Sequence, residues 1–555
     1  MDNSSTLTPW KRLLGLLQLE RKDIFHIAYF AIFEGIVSLS LPLGIQAIIN
    51  LIQGAQVSAS WIILVVLVTI GVSFSGLLRL MQLRIIETIQ QRIFTRASFE
   101  LSYRFPKIRM KELRNYYLPE LANRFFDTLT IQKGLSKMLI DIPSAFLQIL
   151  FAVILLSFYH VFFMMFGALL VLIIYVVFKY TVPRGVETSL EESKNKYKVA
   201  HWLQEVGRAV MSFKVSGKTS LALKKNDYLV TKYIKARESH FKILVVQYIQ
   251  MISFKVIVTA GLLTIGGYLV LDQRMNIGQF VAAEIIILLM ISSVEKLILG
   301  LESVYDVLTS IEKLGQVLDK PIESLEGDKI TDNFNIKLEN VTYKVPNRQY
   351  PVLEDINYEI NCADRIFVEG ESVSSKSLFL QLIPGLIEPT SGNMFVNNLS
   401  VSSLNIRDYR SYLGISFLNE TPFEGTLRNN ITLGSEEIDD NEIYEIFKIV
   451  GLTEFLKLQP EGLNTIIKPE GKQVAYTINK KIILARAIAK KPQFMVLEEP
   501  IDQLKPKEVT RIVNYLTAPE RPWGLVVVSS YEIWKEKCNK HILIEKGRIK
   551  QQNNA

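Results

Sequence analysis

The feature that most constrains the fold is a run of 37 residues, Ile142 to Phe178, that contains no Asp, Glu, Lys or Arg. A membrane-spanning helix needs about 20 apolar residues, because the hydrocarbon core of a bilayer is about 30 Å thick. One helix made of the whole run would be roughly 55 Å long, which is too long for a single crossing. We therefore predict a hairpin of two spans that turns near the sequence FYHVF.

Four further apolar segments flank this hairpin. Two lie before it, at approximately 26–52 and 59–83, and two lie after it, at approximately 245–271 and 277–301. The members of each pair are joined by short polar segments, whereas two connections of more than 50 residues separate the pairs. The sequence thus predicts six spans with short outer loops and long inner extensions. A soluble protein with a buried helical core is the alternative, and six such segments argue against it.

The net charge of +8 reflects membrane topology rather than binding of nucleic acid. Thirteen Lys and Arg residues lie in 184–242 and ten in 89–139, whereas 53–60 contains none. Such an excess is typical of cytoplasmic loops. We expect a multi-pass protein of the cytoplasmic (inner) membrane, in contact with lipid, with its long connections in the cytoplasm and no nucleic-acid partner.

Changes in composition and in the pattern of apolar residues divide the chain into four parts. Residues 1–25 read as an amphipathic helix on the membrane surface rather than a signal peptide. Residues 26–305 hold the six helices with their cytoplasmic extensions, and 306–335 form a polar linker. Residues 336–555 alternate strand-like runs such as RIFVE and GLVVV with helical runs such as KEVTRIVNYLT, which indicates an α/β domain.

Several segments resemble half-transporters of the ABC exporter family. PFEGTLRNNI is similar to the family pattern F-x-G-T-I-R-x-N-I, and ILARAIAKKPQFMVLEEP to LARALxxxPxxLLLDEP. IGQFVAAEIIILLMISSVEKL is similar to the last span of exporters that serve type I protein secretion. The resemblance implies an α-helical six-span membrane domain followed by an α/β nucleotide-binding domain, the ATP-binding cassette, located in the cytoplasm. ATP and Mg²⁺ are the cofactors that it implies.

The stretch GESVSSKS, residues 370–377, stands where the family has its phosphate-binding loop, G-x-x-x-x-G-K-[ST]. Backbone N–H groups of such a loop surround the phosphates, the Lys reaches the β- and γ-phosphates, and the Ser or Thr holds Mg²⁺. The nucleotide-binding candidates are Gly370, Ser374, Ser375, Lys376 and Ser377. Val373 and Ser375 occupy glycine positions. If these positions demand positive φ, a β-branched valine costs about 1–3 kcal/mol.

The sequence VLEEP resembles the Walker B strand of the family. The resemblance makes Glu498 a Mg²⁺ ligand beside Ser377, at a position that is Asp in the family, and makes Glu499 the remnant of the general base. The side chain of Glu498 is one methylene longer than Asp, which changes its reach toward the metal.

The other nucleotide contacts of the family are replaced. The replacements are Val345 for the aromatic residue that stacks on adenine, Leu418 for the Q-loop glutamine, Tyr476 and Thr477 for the two glycines of the signature LSGGQ, and Ser530 for the switch histidine. Each composite site of a dimer combines the Walker motifs of one chain with the signature of the other. Because both sets are altered, neither composite site would be complete even with an intact partner. We therefore expect impaired or absent ATP hydrolysis.

Three ionisable residues fall within the predicted spans. Such residues are functional candidates, because burying a charge in a bilayer is costly. Glu34 and Lys255 lie at a similar depth, which suggests an ion pair near the inner boundary. Glu284 lies closer to the outer face, where it either lines a water-filled cavity or forms a substrate or proton site.

Three functions remain open at this stage. The first is a membrane export subunit for a peptide, protein or lipid-like substrate, with a degenerate cassette. The second is an ATP-driven exporter with slow hydrolysis, and the third is a scaffold or regulatory subunit that does not transport. The resemblance implies a homodimer, or a heterodimer with another half-transporter. Resemblance to type I secretion adds a periplasmic adaptor and an outer-membrane channel.

Overall fold

The computed structural model describes residues 8–53, 59–114, 116–330, 335–346 and 348–554. The chain forms two compact units. The first comprises Met1–Ile108 and Leu113–Pro321, and the second comprises Arg109–Glu112 and Ile322–Ala555.

The first unit is helical in the part that the structure describes. Its helices are α1 (Pro9–Leu19), α2 (Arg21–Ser38), α3 (Ser40–Gln53), α4 (Ala59–Arg104), α5 (Met110–Leu113), α6 (Leu118–Ala122), α7 (Asp127–Tyr159), α8 (Val161–Arg208), α9 (Val210–Val215), α10 (Leu221–Leu271) and α11 (Ile277–Leu318). Most of the short helix α5 belongs to the second unit.

Among the residues that the structure describes, six helical segments of this unit are long and apolar enough to cross a membrane, which confirms the predicted number of spans. They are Arg21–Gln53, Ala59–Lys107, Leu118–Tyr159, Val161–Arg208, Leu221–Leu271 and Ile277–Leu318. The predicted hairpin turns at His160, whose extended backbone separates α7 from α8. Helices α4, α8 and α10 contain 46, 48 and 51 residues, more than twice the length that one crossing needs. Helix α11 continues to Leu318 and so includes the first part of the segment 306–335 that the sequence suggests as a linker.

Helix α11 forms the centre of this unit. Its buried side chains Ile287, Met290 and Val294 pack with Ala145 and Ile149 of α7. Close packing extends toward the ends of the helices: a Cβ at Gly185 of α8 would lie 2.3 Å from the ring of Tyr305 on α11. The hydroxyl of Tyr305 accepts a hydrogen bond of 2.7 Å from the buried Gln247 amide of α10. Three helices are therefore fixed to one another around this tyrosine.

The second unit is an α/β domain. Its helices are α12 (Val373–Leu382), α13 (Ile406–Ser411), α14 (Leu427–Thr432), α15 (Asp440–Val450), α16 (Thr453–Lys457), α17 (Tyr476–Ala489), α18 (Pro506–Thr517) and α19 (Ile533–Lys537). Its strands are β1 (Asn335–Tyr343), β2 (Leu353–Asn361), β3 (Arg365–Glu369), β4 (Ser391–Val396), β5 (Leu399–Ser400), β6 (Leu413–Ser416), β7 (Gly425–Thr426), β8 (Ile466–Ile467), β9 (Phe494–Glu498), β10 (Gly524–Val528), β11 (Lys540–Glu545) and β12 (Arg548–Asn554).

Two sheets and a short ribbon organise these strands. A six-stranded sheet has the order β12-β11-β3-β10-β9-β6, in which only β12 runs antiparallel to its neighbour. A four-stranded antiparallel sheet has the order β2-β1-β4-β5, and β7 pairs with β8. The central strands β9 and β10 are buried at every position, as expected for parallel strands covered on both faces. The predicted class, six apolar helices followed by an α/β domain, is confirmed.

Candidate functional site

The candidate site lies where four parallel strands end. Val528 of β10 pairs with Glu498 of β9 and with Val368 of β3, and Ser416 of β6 pairs with Leu497 of β9. The loops after β3, β6, β9 and β10 therefore leave the same edge of the sheet. In open α/β sheets, ligands bind at this carboxyl edge. The topology brings together most of the residues that the family resemblance singles out.

The loop after β3 begins at Gly370. A Cβ at this position would lie 2.4 Å from the carbonyl oxygen of Ile544, so the close backbone approach requires glycine. Helix α12 begins at Val373, after Ser372, whose backbone is extended. Val373 is therefore helical and exposed, and the strain that positive φ would cause at this residue does not arise. The first turn of α12 thus includes the glycine positions of the family pattern that Val373 and Ser375 occupy.

In the first turn of α12, backbone N–H groups that a phosphate-binding loop would donate to its ligand form hydrogen bonds within the chain. The Ser375 N–H donates to Ser372 Oγ at 3.4 Å, and the Lys376 N–H donates to the Ser372 carbonyl at 3.4 Å. The Ser375 side chain is buried, and its hydroxyl donates to the Val352 carbonyl at 3.2 Å. Of the predicted nucleotide-binding residues, Ser375 thus faces the protein interior, whereas Ser374 is exposed and Lys376 half-buried.

The two predicted Mg²⁺ ligands contact each other. The Ser377 hydroxyl donates a short hydrogen bond to one carboxylate oxygen of Glu498, and the other oxygen accepts the Leu418 N–H at 3.1 Å. Glu498 is buried, with 5% of its surface exposed. Within the described ranges, no three His, Cys, Asp or Glu side chains are grouped closely enough to hold a metal ion. The structure therefore brings together two of the groups that would contact Mg²⁺ beside a bound nucleotide, where phosphates and water would supply the other ligands.

Glu499 lies at the end of β9 with an uncommon backbone conformation. Its φ is +43°, and its N–H donates to the Val528 carbonyl at 2.8 Å. Its carboxylate accepts hydrogen bonds from Ser529 at 3.1 Å and from Ser530 at 3.3 Å. Ser530, at the position predicted for the switch histidine, is therefore within contact of the position predicted for the general base. A hydroxyl replaces the imidazole there, and it has no titration near neutral pH.

The other replaced positions make contacts of their own. Val345 packs partly buried against the core between the two sheets. Tyr476 begins α17, and its hydroxyl donates to the carboxylate of Asp502 at 3.0 Å. Thr477 lies half-buried in the first turn of the same helix. Leu418 contributes its backbone, rather than its side chain, to the hydrogen bonds around Glu498.

Lys480 is a residue of this site that the sequence analysis missed. It lies on α17, only 2% of it is exposed, and its ammonium donates to the Leu418 carbonyl at 2.5 Å. Burial lowers the pKa of Lys480, and the carboxylates of Asp502 and Glu498 partly oppose this shift. Neither residue type nor spacing distinguishes Lys480 from the exposed lysines of other helices.

A second missed contact fixes the segment PFEGTLRNNI. Arg486 of α17 pairs with Glu420 at 2.7 Å and donates to the Asn430 carbonyl at 2.7 Å. Asn430 is fully buried, and its amide donates to the Phe423 carbonyl at 2.9 Å. Burial raises the pKa of Glu420 despite the nearby guanidinium. These bonds hold the sequence ARA of α17 against the segment PFEGTLRNNI.

The charged residues of the spans are arranged differently from the predicted ion pair. Glu34 of α2 is buried, and its carboxylate accepts hydrogen bonds from Gln82 of α4 at 3.0 Å and from Ser144 of α7 at 3.3 Å. Lys255 is exposed on α10. The expectation that Glu34 pairs with Lys255 is therefore wrong, because Glu34 faces two neighbouring helices with neutral donors. Glu284 is half-buried on α11.

Comparisons with known proteins identify the α/β domain. The family model described as ABC transporter matches residues 353–502. One relative is an export ATP-binding/permease protein of Rickettsia bellii, which is 27% identical over 248 residues. The match covers 44% of this chain and 43% of that protein. The alpha-hemolysin translocation ATP-binding protein HlyB of Escherichia coli O157:H7 is 24% identical over 307 residues, or 55% of this chain and 43% of that protein. The chain thus matches less than half of the length of either relative.

The solved structure of a bacterial Atm1-family ABC exporter with ATP bound covers much more of the chain. It superimposes with a TM-score of 0.84 and 16% sequence identity, over 97% of this chain and 96% of that one. At this identity the match shows the fold alone. ABC transporter domains are nucleotide-binding domains, and six apolar helices indicate a multi-pass membrane protein. Residues 353–502 therefore match the ABC transporter family model, and nearly the whole chain has the fold of that exporter structure.

Proposed function

We propose that this chain is a membrane export subunit of ABC-transporter type whose cassette hydrolyses ATP little or not at all. The observation that carries the proposal is the structure of the loop after β3. Helix α12 begins at Val373, and the N–H groups of Ser375 and Lys376 are hydrogen-bonded to Ser372. Donors that are already paired inside the chain contribute little to phosphate binding, because a new bond must first break an existing one.

The catalytic side of the site supports the same proposal. Hydrolysis of a phosphoanhydride depends on Mg²⁺ and on a group that orients the attacking water. Here Ser377 and Glu498 bond to each other, and Glu499 is held by Ser529 and Ser530 rather than by an imidazole. With Leu418, Tyr476 and Thr477 at the Q-loop and signature positions, the chain supplies few of the groups that normally stabilise the transition state.

The substrate that we propose is a peptide, protein or lipid-like molecule. HlyB is named for translocation of a haemolysin, and on this likeness a polypeptide is the first candidate. The proposed partners are a second half-transporter, either identical or different, together with a periplasmic adaptor and an outer-membrane channel. The proposed location is the inner membrane, with the cassette in the cytoplasm. Because both composite sites of such a dimer are altered, transport then draws its energy from an ion gradient, for which the half-buried Glu284 is the candidate residue, or from a partner outside the dimer.

The experiment that tests this proposal compares the secreted material of three strains. One strain lacks the chain, one is complemented with the wild type, and one is complemented with the Lys376→Ala variant. We expect at least one peptide, protein or lipid of the medium to be lost with the chain and restored by both complementing versions. Restoration by the wild type alone would contradict the claim that this cassette is not the motor. No difference among the three media would contradict export.

The retained acidic pair favours a second candidate, an ATP-driven exporter with slow hydrolysis. Glu498 still ends β9 and Glu499 follows it, and Glu498 contacts Ser377, the residue after Lys376. This alternative predicts an ATPase activity of the reconstituted protein that disappears in both Lys376→Ala and Glu499→Gln. A scaffold or regulatory subunit is the third candidate. It predicts that Glu284→Lys leaves the secreted material unchanged.

A further inference from the structure

A pocket of about 360 Å³ lies between α10 and α11 of the helical unit. Phe241 and Tyr248 of α10 and Leu299 of α11 line it with exposed apolar surface. Arg237 of α10 and Glu302 of α11 supply its charged groups. A cavity of this size with apolar walls and a few polar groups is typical of a ligand site. One positive and one negative group beside an apolar wall fit an amphipathic ligand.

The depth of the pocket is set by its distance from the short connection between α10 and α11. At 1.5 Å per residue, Gln247, which also lines the pocket, is roughly 36 Å along α10 from Leu271, and Leu299 is roughly 33 Å along α11 from Ile277. The hydrocarbon core of a bilayer is about 30 Å thick. With the short connection at one membrane surface, the pocket lies among the lipid headgroups of the other leaflet. In the proposed topology this is the inner leaflet.

The charged groups of the pocket are available to a ligand. Arg237 pairs with Glu192 of α8, at 3.3 Å to each carboxylate oxygen, rather than with Glu302. The Arg237 side chain is 47% exposed, and a guanidinium has five N–H donors, so donors remain for an oxyanion. Glu302 is exposed on α11. Its carboxylate therefore offers the pocket a negative charge that Arg237 does not pair.

Gln247 gives an independent indication that a donor is missing at this pocket. The residue is 1% exposed, and its Nε2 donates to Thr181 at 3.0 Å and to the Tyr305 hydroxyl at 2.7 Å. The Thr181 hydroxyl donates its own proton to the Val177 carbonyl at 2.9 Å, so it accepts from Gln247, which fixes the orientation of the amide. The amide oxygen of Gln247 is buried and has no hydrogen-bond partner among the described residues. Such acceptors are rare, and an N–H donor of a ligand would satisfy this one.

We propose that this pocket binds a phospholipid of the inner leaflet whose headgroup ends in a primary ammonium. The phosphate contacts Arg237, the ammonium lies between Glu302 and the amide oxygen of Gln247, and an acyl chain follows the apolar wall at Leu299. The ring of Phe241 also favours a cation. A primary ammonium has three N–H donors, whereas a trimethylammonium group has none, so the unpaired acceptor selects between the two headgroups. The inference goes beyond the proposed function and depends only on α10 and α11 as membrane-spanning helices.

The experiment measures lipid binding to the purified, delipidated full chain by native mass spectrometry, without nucleotide. The probes are phosphatidylethanolamine, phosphatidylcholine and phosphatidylglycerol with identical acyl chains. We expect the wild type to bind phosphatidylethanolamine at least about tenfold more tightly than either other lipid, which corresponds to about 1.4 kcal/mol. Glu302→Gln should reduce the preference over phosphatidylcholine to within about threefold. Arg237→Gln should weaken the binding of both lipids alike, because both carry the phosphate.

Two matched controls come from the same helix. Glu238 and Lys242 are exposed on α10 at a similar depth, and neither lines the pocket. Glu238→Gln and Lys242→Gln are therefore expected to bind all three lipids as the wild type does. Leu299→Trp keeps every charged group but fills the pocket with an indole ring, so it should weaken the binding of phosphatidylethanolamine. This variant distinguishes binding in the pocket from attraction to surface charge.

Four outcomes overturn the inference. Equal affinities of the wild type for the three lipids would mean that the pocket does not read the headgroup, and a preference for phosphatidylglycerol would make it an anion site. A preference for phosphatidylethanolamine that persists in Glu302→Gln would show that this carboxylate does not hold the ammonium. A dimer that binds no lipid would mean that a second copy of the chain covers the pocket. Neither transport nor nucleotide is measured, so these results are independent of whether the proposed function holds.

Discussion

The contact between Arg486 and the segment PFEGTLRNNI gives a prediction that tests how the cassette framework is held. The Arg486 side chain is 12% exposed and pairs with Glu420 at 2.7 Å. It also donates to two oxygens of Asn430, the backbone carbonyl at 2.7 Å and the side-chain oxygen at 3.3 Å. The Arg486→Met variant fills similar space but removes all three bonds. It leaves a carboxylate and a carbonyl without their donor.

The expected loss follows from the burial of the two partners. Breaking a buried ion pair by removing one member costs about 3–5 kcal/mol, and a hydrogen bond to a charged group contributes about 1.5–3 kcal/mol. Glu420 retains 30% exposure, so water can partly replace the guanidinium there. We therefore expect Arg486→Met to lower the local free energy of opening by about 2–4 kcal/mol, which corresponds to about 30- to 1000-fold faster amide exchange.

Amide exchange in α14 of the nanodisc-embedded chain is the assay, because Asn430 lies in this helix. The Arg486→Lys variant keeps a charge but loses the planar fork, and we expect it to be intermediate. The double variant Arg486→Met with Glu420→Met should exchange more slowly than Arg486→Met alone, because it has no stranded carboxylate. Exchange of Arg486→Met within threefold of the wild type would refute the reasoning. So would a double variant that exchanges as fast as the single one.

Two further predictions concern packing in the first unit and thiol reactivity in the second. Gly185→Ala places a Cβ 2.3 Å from the Tyr305 ring and should destabilise the detergent-solubilised protein by about 1–3 kcal/mol, which lowers its thermal unfolding midpoint. The control Gly207→Ala lies on the same helix with nothing within 4 Å, and it should leave the midpoint unchanged or raised. Equal midpoints for both variants would contradict the described packing. Burial raises the pKa of the Cys538 thiol to about 12. At pH 8 its thiolate fraction is therefore about 10⁻⁴, so Cys538 should react with maleimide at least a hundredfold more slowly than the exposed Cys362. The reaction rate of Cys538 should increase toward pH 10. Comparable rates of the two thiols at pH 8, measured by mass spectrometry of the labelled peptides, would contradict the burial of Cys538.

The architecture follows from features that are local in the sequence. The run from Ile142 to Phe178 is too long for one crossing and too apolar for a soluble helix, so a hairpin is the remaining solution, and it turns at His160. Composition likewise reveals β10, because central parallel strands read as continuous apolar runs, whereas β9 is indicated by its resemblance to the Walker B strand. Once these strands are parallel neighbours, Glu499 and Ser530 must lie close together, since both follow carboxyl ends at one edge of the sheet.

The details of the site depend on tertiary contacts that the sequence does not encode locally. The conformation of Val373 depends on where α12 begins, which the extended backbone of Ser372 decides. Lys480 reads as a solvent-exposed lysine in the first turns of a helix, and only the carbonyl of Leu418, 62 residues away, explains its burial. For Glu34, a count of residues gives the depth in the membrane but not the rotation of the helix, and rotation decides that Gln82 and Ser144 are its partners.

The most direct test of the central claim is nucleotide binding by the purified full chain in nanodiscs, measured by isothermal titration calorimetry with Mg-ATP up to millimolar concentration. The Lys376→Ala variant is the control, since Lys376 is the residue of the loop that would contact the β- and γ-phosphates. We predict no saturable heat for either protein, because the donors of the loop are already paired within the first turn of α12. Saturable binding by the wild type that disappears in Lys376→Ala would contradict the account and make this cassette a working nucleotide site.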